Sequence, residues 1–235
     1  VEDDFLTDEQ QADQVKSWLR QNGPFLIAGV VLGLGGLFGW NQWQRYQEQR
    51  AEAASVLYDQ LLQSVSAQQF DTASQQLQQL ETEFSASAYL DQGRLSMAGL
   101  YVLRSKPDEA IAQLQRVADQ GVADEIRNIA RLRLARLLSS SDKHDEALKV
   151  LSVSGTGAFA PLFHDVRGDV YYAMGKLAEA RSEYEQALNG EQAAAVLDLG
   201  YVTAKLDDLG GATADLAAAA GTPVAGSPAD SVPAK

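Results

Sequence analysis

Residues 161–194 read PLFHDVRGDVYYAMGKLAEARSEYEQALNGEQAA, and their spacing decides the fold. On both sides of Gly175 the apolar and aromatic residues recur three and four positions apart, which gathers them on one face of a helix. Gly175 itself is a turn signal between two such stretches. Gly168 and Ala180 are small enough to let two antiparallel helices close on each other, while Tyr171 and Tyr184 fill the space between that pair and its neighbour. The stretch therefore predicts a helical hairpin that has to stack on something similar to bury its apolar face.

Similar stretches precede it in the chain. KPDEAIAQL at 106–114 and KHDEALKVL at 143–151 place Ala110 and Ala147 where KLAEARSEY at 176–184 places Ala180, at spacings of 37 and 33 residues. Ala98 with Tyr101, and Ala135 with Leu138, stand where Gly168 and Tyr171 stand. A weaker unit runs over 50–84, with Ala73 at the equivalent place. Small and aromatic residues at this period match the tetratricopeptide repeat, a helical pair of about 34 residues that buries a core only by stacking. The fold class is all-α, with a TPR-like domain over 44–209. Residues 191–209 are expected to form a helix capping the last repeat, since a solenoid otherwise ends in an open apolar face. Residues 210–235, rich in Ala, Gly and Pro, are expected to be a flexible tail, because they carry too little large apolar surface to offset the entropy of ordering.

At the other end, PFLIAGVVLGLGGLFGWNQW at 24–43 contains no charge and lies between Arg20 and Arg45. Twenty helical residues rise about 30 Å, the thickness of a bilayer's hydrocarbon core. This predicts a single transmembrane helix, with Pro24 in its first turn and Trp40 and Trp43 at an interface. A cleaved signal peptide fits less well, because 23 residues precede the apolar core and the A-x-A of 51–53 lies far beyond it. A buried soluble helix fits less well again, given five glycines within 24–43. Lys16 and Arg20 on one flank balance Arg45 and Arg50 on the other, so flanking charge leaves the orientation open. Gly29, Gly33 and Gly36 share one smooth face and are candidates for contact with another membrane helix.

Composition narrows the function. The 235 residues include 19 Lys+Arg against 32 Asp+Glu, a net charge of −13, which argues against nucleic acid as a partner. Without cysteine there is no disulfide, thiol nucleophile or Cys-ligated metal, and two histidines offer little for a metal centre. No nucleophile elbow, phosphate loop, dinucleotide fingerprint or zinc-protease motif occurs. His144 and His164 stand 20 residues apart without further ligands, and the adjacent Asp207 and Asp208 lack the additional oxygens that Ca²⁺ or Mg²⁺ needs. We therefore expect no catalytic, cofactor-binding or metal-binding residues and no cofactor. Stacked repeats instead line a concave surface that binds an extended segment or a partner helix. Mapping concave positions onto this chain gives the candidate groove Leu95, Val102, Leu132, Arg136, Asp165, Asp169 and Tyr172. Arg127, Arg131, Arg133 and Arg136 crowd one helix, either to meet an acidic partner or to pair with acids of the same chain.

The order of these parts carries a resemblance. QADQVKSWLRQNG at 11–23, AGVVLGLGGLFGWNQW at 28–43, LRLARLL at 132–138 and VRGDVYYAMGKLAEARSEYEQAL at 166–188 together resemble the YfgM-like ancillary subunits of the Sec translocon, up to residue 209. The resemblance implies a bacterial inner-membrane protein with a single span, residues 1–23 being a cytoplasmic tail and the TPR domain periplasmic. It implies a noncatalytic partner of the SecYEG channel and of a PpiD-type periplasmic chaperone, helping to hand over unfolded secreted proteins. The alternative reading is an inner-membrane-tethered TPR scaffold for envelope assembly or cell division.

Overall fold

The computed structural model describes residues 8–154 and 156–220. Every regular element among them is helical. The chain divides between Val56 and Leu57 into two units.

The first unit is the long N-terminal part of α1, a helix running over Asp8–Ser66. Its most apolar stretch has a mean hydropathy of 1.7, and none of that stretch is buried. Phe25, Ile27, Leu32 and Phe38 all stand exposed, which in water would be unfavourable and in lipid is the expected state. Among the described residues this is the one helix long and apolar enough to cross a membrane. Pro24 lies inside α1 and not in a first turn. The reason is local: residues 8–23 are rich in Gln, Glu, Leu, Lys and Arg, good helix formers that start the helix ahead of the proline. Trp40 and Trp43 sit one turn apart, with ring centroids separated by 5.3 Å.

The second unit is a stack of helical hairpins. Its helices are the end of α1, then α2 (Phe70–Glu83), α3 (Ala88–Leu103), α4 (Pro107–Gln120), α5 (Asp124–Ser140), α6 (His144–Leu151), α7 (Ala160–Ala173), α8 (Leu177–Leu188), α9 (Ala193–Val196) and α10 (Leu199–Ala220). The repeat shows most directly in the turns. Gln68, Ser105, Asp142 and Gly175 all adopt positive φ, at spacings of 37, 37 and 33 residues. Each turn closes with the same pair of bonds. In the first of them, the amides of Gln69, Lys106, Lys143 and Lys176 donate to the carbonyls of Ser64, Tyr101, Leu138 and Tyr171 at 2.8–2.9 Å. In the second, the amides of Gln68, Ser105, Asp142 and Gly175 donate to carbonyls three residues back. This is the Schellman arrangement, which satisfies carbonyls at a helix end and requires a left-handed residue. The degenerate first unit shares it, so 50–84 folds as a repeat despite its weak pattern.

Three apolar clusters fill the stack. Leu57, Leu61, Leu77, Leu80, Leu90 and Met97 form the first, and Leu114, Leu134, Leu138, Phe163, Val166 and Val170 belong to the second. Ala180, Tyr184, Ala187, Val202 and Leu209 form the third. The alanines read as repeat markers, Ala73, Ala110, Ala147 and Ala180, are each fully buried. The first helices of successive hairpins pack in sequence, α3 on α5 and α5 on α7, with α10 on α8.

The C-terminal end differs from the sequence reading. The expected cap over 191–209 is two pieces, because Leu197 is extended and Asp198 restarts the helix by accepting the Tyr201 amide at 3.1 Å. The restarted helix passes 209 and continues to Ala220, within the stretch expected to be flexible. Alanine is the best helix former, and 214–220 contains five alanines, so propensity carries the helix past the last core residue. The remainder of the expected tail, 221–235, lies outside the described residues.

Candidate functional site

The groove residues of the fourth repeat come together with side chains from α10. Asp165 and Asp169 lie one turn apart on α7, and both accept from the Lys205 ammonium, at 2.8 and 2.6 Å. Asp165 is buried, and the Arg136 guanidinium on α5 stands 3.7 Å from its second oxygen. The Tyr184 hydroxyl on α8 donates to Asp169 at 2.9 Å. Lys205 lies over two aromatic rings, 4.8 Å from the centroid of Tyr201 and 5.4 Å from that of Tyr184. Further out, the Tyr172 hydroxyl reaches Asp208 at 3.5 Å. Together Asp169, Tyr172, Tyr184, Tyr201, Lys205 and Asp208 line a cavity of about 220 Å³.

Burial and charge tune these groups. Burial pushes the Asp165 carboxyl above its ordinary value, outweighing the Lys205 hydrogen bond. For Lys205 burial acts to lower the pKa, but the hydrogen bonds to Asp165 and Asp169 outweigh it and the ammonium is held more tightly than usual. Tyr184 is raised by burial and by the Asp169 carboxylate beside it, so its phenol stays neutral. The network joins α5, α7, α8 and α10 by charge-assisted bonds, which fixes the register of the last repeat against its neighbours.

Other sequence candidates are placed differently. Leu95 and Leu132 are core residues, 8% and 5% exposed, because α3 and α5 turn those positions toward the stack. Val102, at 48% exposed, is open near the end of α3. Thus Arg136, Asp165, Asp169 and Tyr172 share one neighbourhood, and Leu95, Val102 and Leu132 are outside it. Of the arginines on α5, Arg127 pairs with Asp124 and Arg136 with Asp165, while Arg131 donates to the Asn128 amide oxygen at 3.1 Å. His164 joins Glu183 at 2.8 Å, with Arg167 on the same carboxylate at 3.1 Å. Gly29, Gly33 and Gly36 face open space.

Sequence reasoning missed Lys205, Tyr201 and Asp208 as site residues. Their spacing of four and three positions puts them on one face of α10, and that face carries a lone lysine between an aromatic and an acid. This polar stripe, set among the apolar residues of the cap, is the signal the sequence offers.

The tetratricopeptide repeat-like domain family matches residues 16–211. Among curated relatives, a protein of Haemophilus influenzae is 29% identical over 205 residues, covering 87% of this chain and 98% of its own. One of Escherichia coli is 29% identical over 202 residues, covering 83% and 94%. A third, of Neisseria gonorrhoeae, is 29% identical over 184 residues, covering 78% and 88%. All three are named ancillary SecYEG translocon subunit. Among solved structures, the crystal structure of BtubC (BKLC) from P. vanneervenii superposes with a TM-score of 0.53 at 14% identity, covering 80% of this chain and 98% of that one. That likeness concerns the fold.

Proposed function

Because the chain belongs to the tetratricopeptide repeat-like domain family, we propose that it works as a noncatalytic ancillary subunit of the Sec translocon, held in a bacterial inner membrane by residues 24–43. The observation that carries this reading is the likeness, over 98% of the relative's length, to a protein named for that role, together with an unburied apolar helix ahead of the repeats. In the proposed arrangement the N-terminus is cytoplasmic and the repeat domain periplasmic. The groove around Arg136, Asp165, Asp169 and Tyr172 takes a periplasmic chaperone of the PpiD type, and the Gly29, Gly33 and Gly36 face meets a helix of the channel. Anchoring near the exit raises the effective concentration of the binding surface for whatever emerges there.

Site-specific photocrosslinking in intact cells tests the reading, with probes at Tyr172 and Trp43. Capture of a SecYEG subunit from Trp43 and of a periplasmic chaperone from Tyr172 is the expected result. Division or outer-membrane assembly proteins in their place would leave a tethered scaffold of another complex. For the membrane contact, Gly29→Leu with Gly33→Leu is expected to reduce crosslinking from Trp43, and undiminished crosslinking removes that contact.

A further inference from the structure

We propose that the cavity between α7 and α10 receives a cationic side chain, lysine or arginine, of an extended partner segment, seated on Asp208 between Tyr172 and Tyr201. The inference rests on the groove reading above and adds the chemistry of what the groove selects.

Four observations lead to it. The cavity of about 220 Å³ is lined by three tyrosines, two aspartates and one lysine, so its acids outnumber its one cation and its rings add faces that attract a positive charge. Its own lysine is already paired, since the Lys205 ammonium is fixed between Asp165 and Asp169 at 2.8 and 2.6 Å, and Asp208 is the acid of the lining that it does not bind. Asp208 at the mouth is exposed and receives the Tyr172 hydroxyl at 3.5 Å, the limit of a hydrogen bond, which leaves its charge uncompensated by that neighbour. Finally, the flanking rings are open, Tyr172 47% and Tyr201 63% exposed, and Lys205 over Tyr201 at 4.8 Å demonstrates that this ring face accepts an ammonium. An incoming cation would pair with Asp208 beside the exposed rings of Tyr172 and Tyr201. The net charge of −13 adds a long-range attraction for a basic segment.

The test uses the full chain in nonionic detergent micelles and fluorescence anisotropy. The probe is a dye-labelled 12-residue Ser/Leu peptide carrying three arginines, compared with versions carrying norleucine or glutamate in their place. The arginine peptide is expected to bind at least tenfold more tightly than either. Asp208→Asn is expected to weaken it about tenfold, the size of one charge-assisted contact. Asp207→Asn changes the net charge identically but does not line the cavity, and is expected to leave binding unchanged. Tyr201→Ala is expected to weaken it as well, with the far-ultraviolet circular dichroism of each variant as the check on folding. Norleucine and arginine peptides binding alike, equal losses in Asp207→Asn and Asp208→Asn, or no binding by the arginine peptide would each overturn the proposal. Co-purification of SecYEG with the unaltered chain is followed in the same detergent. Its persistence alongside a failed peptide assay overturns the cation site alone, and its loss counts against the translocon reading.

Discussion

A side-chain carbon placed on Gly168 would stand 2.6 Å from Cδ1 of Tyr184, closer than atoms can approach. The glycine is therefore where α7 and α8 touch, and the tyrosine ring is the wall. That ring cannot easily retreat, because its hydroxyl is held by Asp169 at 2.9 Å and its residue is 2% exposed. Overpacking costs about 1–3 kcal/mol and alanine regains ~1 kcal/mol in helix propensity, so Gly168→Ala is expected to destabilise the repeat domain by up to about 2 kcal/mol. Gly93→Ala provides the contrast. Its nearest neighbours are methyl ends of Leu61 at 2.9 Å and Leu80 at 3.3 Å, buried but more yielding than a hydrogen-bonded ring, so the same substitution should cost less than at Gly168. Thermal melts of both variants, followed by circular dichroism, decide between them.

The four repeat turns make a second prediction. Gln68 and Ser105 hold φ of 55°, a left-handed conformation that costs a residue with a side chain about 1–2 kcal/mol. Glycine relieves this but loses more entropy on folding, so Gln68→Gly and Ser105→Gly should each stabilise by at most about 1 kcal/mol. Gly175→Ala, at φ of 73°, should go the other way by a similar amount. Opposite shifts in urea midpoint are the expected readout, and shifts of one sign in all three variants would contradict the turn argument.

These turns also explain how much of the architecture was legible. The alanine markers and the Gly175 turn carry local signals in residue type, and they placed the hairpins with the right period. Gln68 and Ser105 stand in stretches whose residue types signal a turn, at 67–71 and 105–108, but nothing about glutamine or serine announces a positive φ, which only the register of the neighbouring repeats implies. The groove was legible in the same partial way. Asp165, Asp169 and Tyr172 follow from helical spacing on α7, whereas Leu95 and Leu132, apolar at the corresponding positions, join the core. Lys205 comes from 36 and 40 residues further along the chain, a pairing set by how α10 docks and by no local pattern.

Alkaline pH should weaken the domain through two groups of this network. Lys205 binds its proton more tightly folded than unfolded, so its contribution is complete below 10.5 and is lost as pH rises through the folded value. Tyr184 is also raised, from 10.0, so the neutral phenol stabilises below that value and the advantage fades above it. The melting temperature is therefore expected to be level through neutral pH and to fall above about pH 10. Tyr184→Phe removes one of the two titrations and should flatten the fall, even though losing the Asp169 hydrogen bond costs about 1 kcal/mol at neutral pH. A slope unchanged by Tyr184→Phe would show that the phenol plays no part.

The buried carboxylate of Asp165 sets the cost of removing its cation. Lys205→Met leaves Asp165 with Arg136 at 3.7 Å, whose side chain is half exposed and so a weaker counter-charge. Stranding a buried charge costs about 3–5 kcal/mol, and the remaining arginine should hold the loss near the lower end. Burial already raises the Asp165 pKa, and without Lys205 it rises further, so the carboxyl takes up a proton more readily as the medium is acidified. The destabilisation of Lys205→Met relative to the unaltered chain should accordingly shrink toward acid pH. Adding Asp165→Asn to Lys205→Met removes the stranded charge while keeping the shape, and should recover part of the loss at neutral pH. A double variant no more stable than the single one, with a deficit independent of pH, would mean that Lys205 serves the fold by packing over Tyr184 and Tyr201 and not by neutralising Asp165.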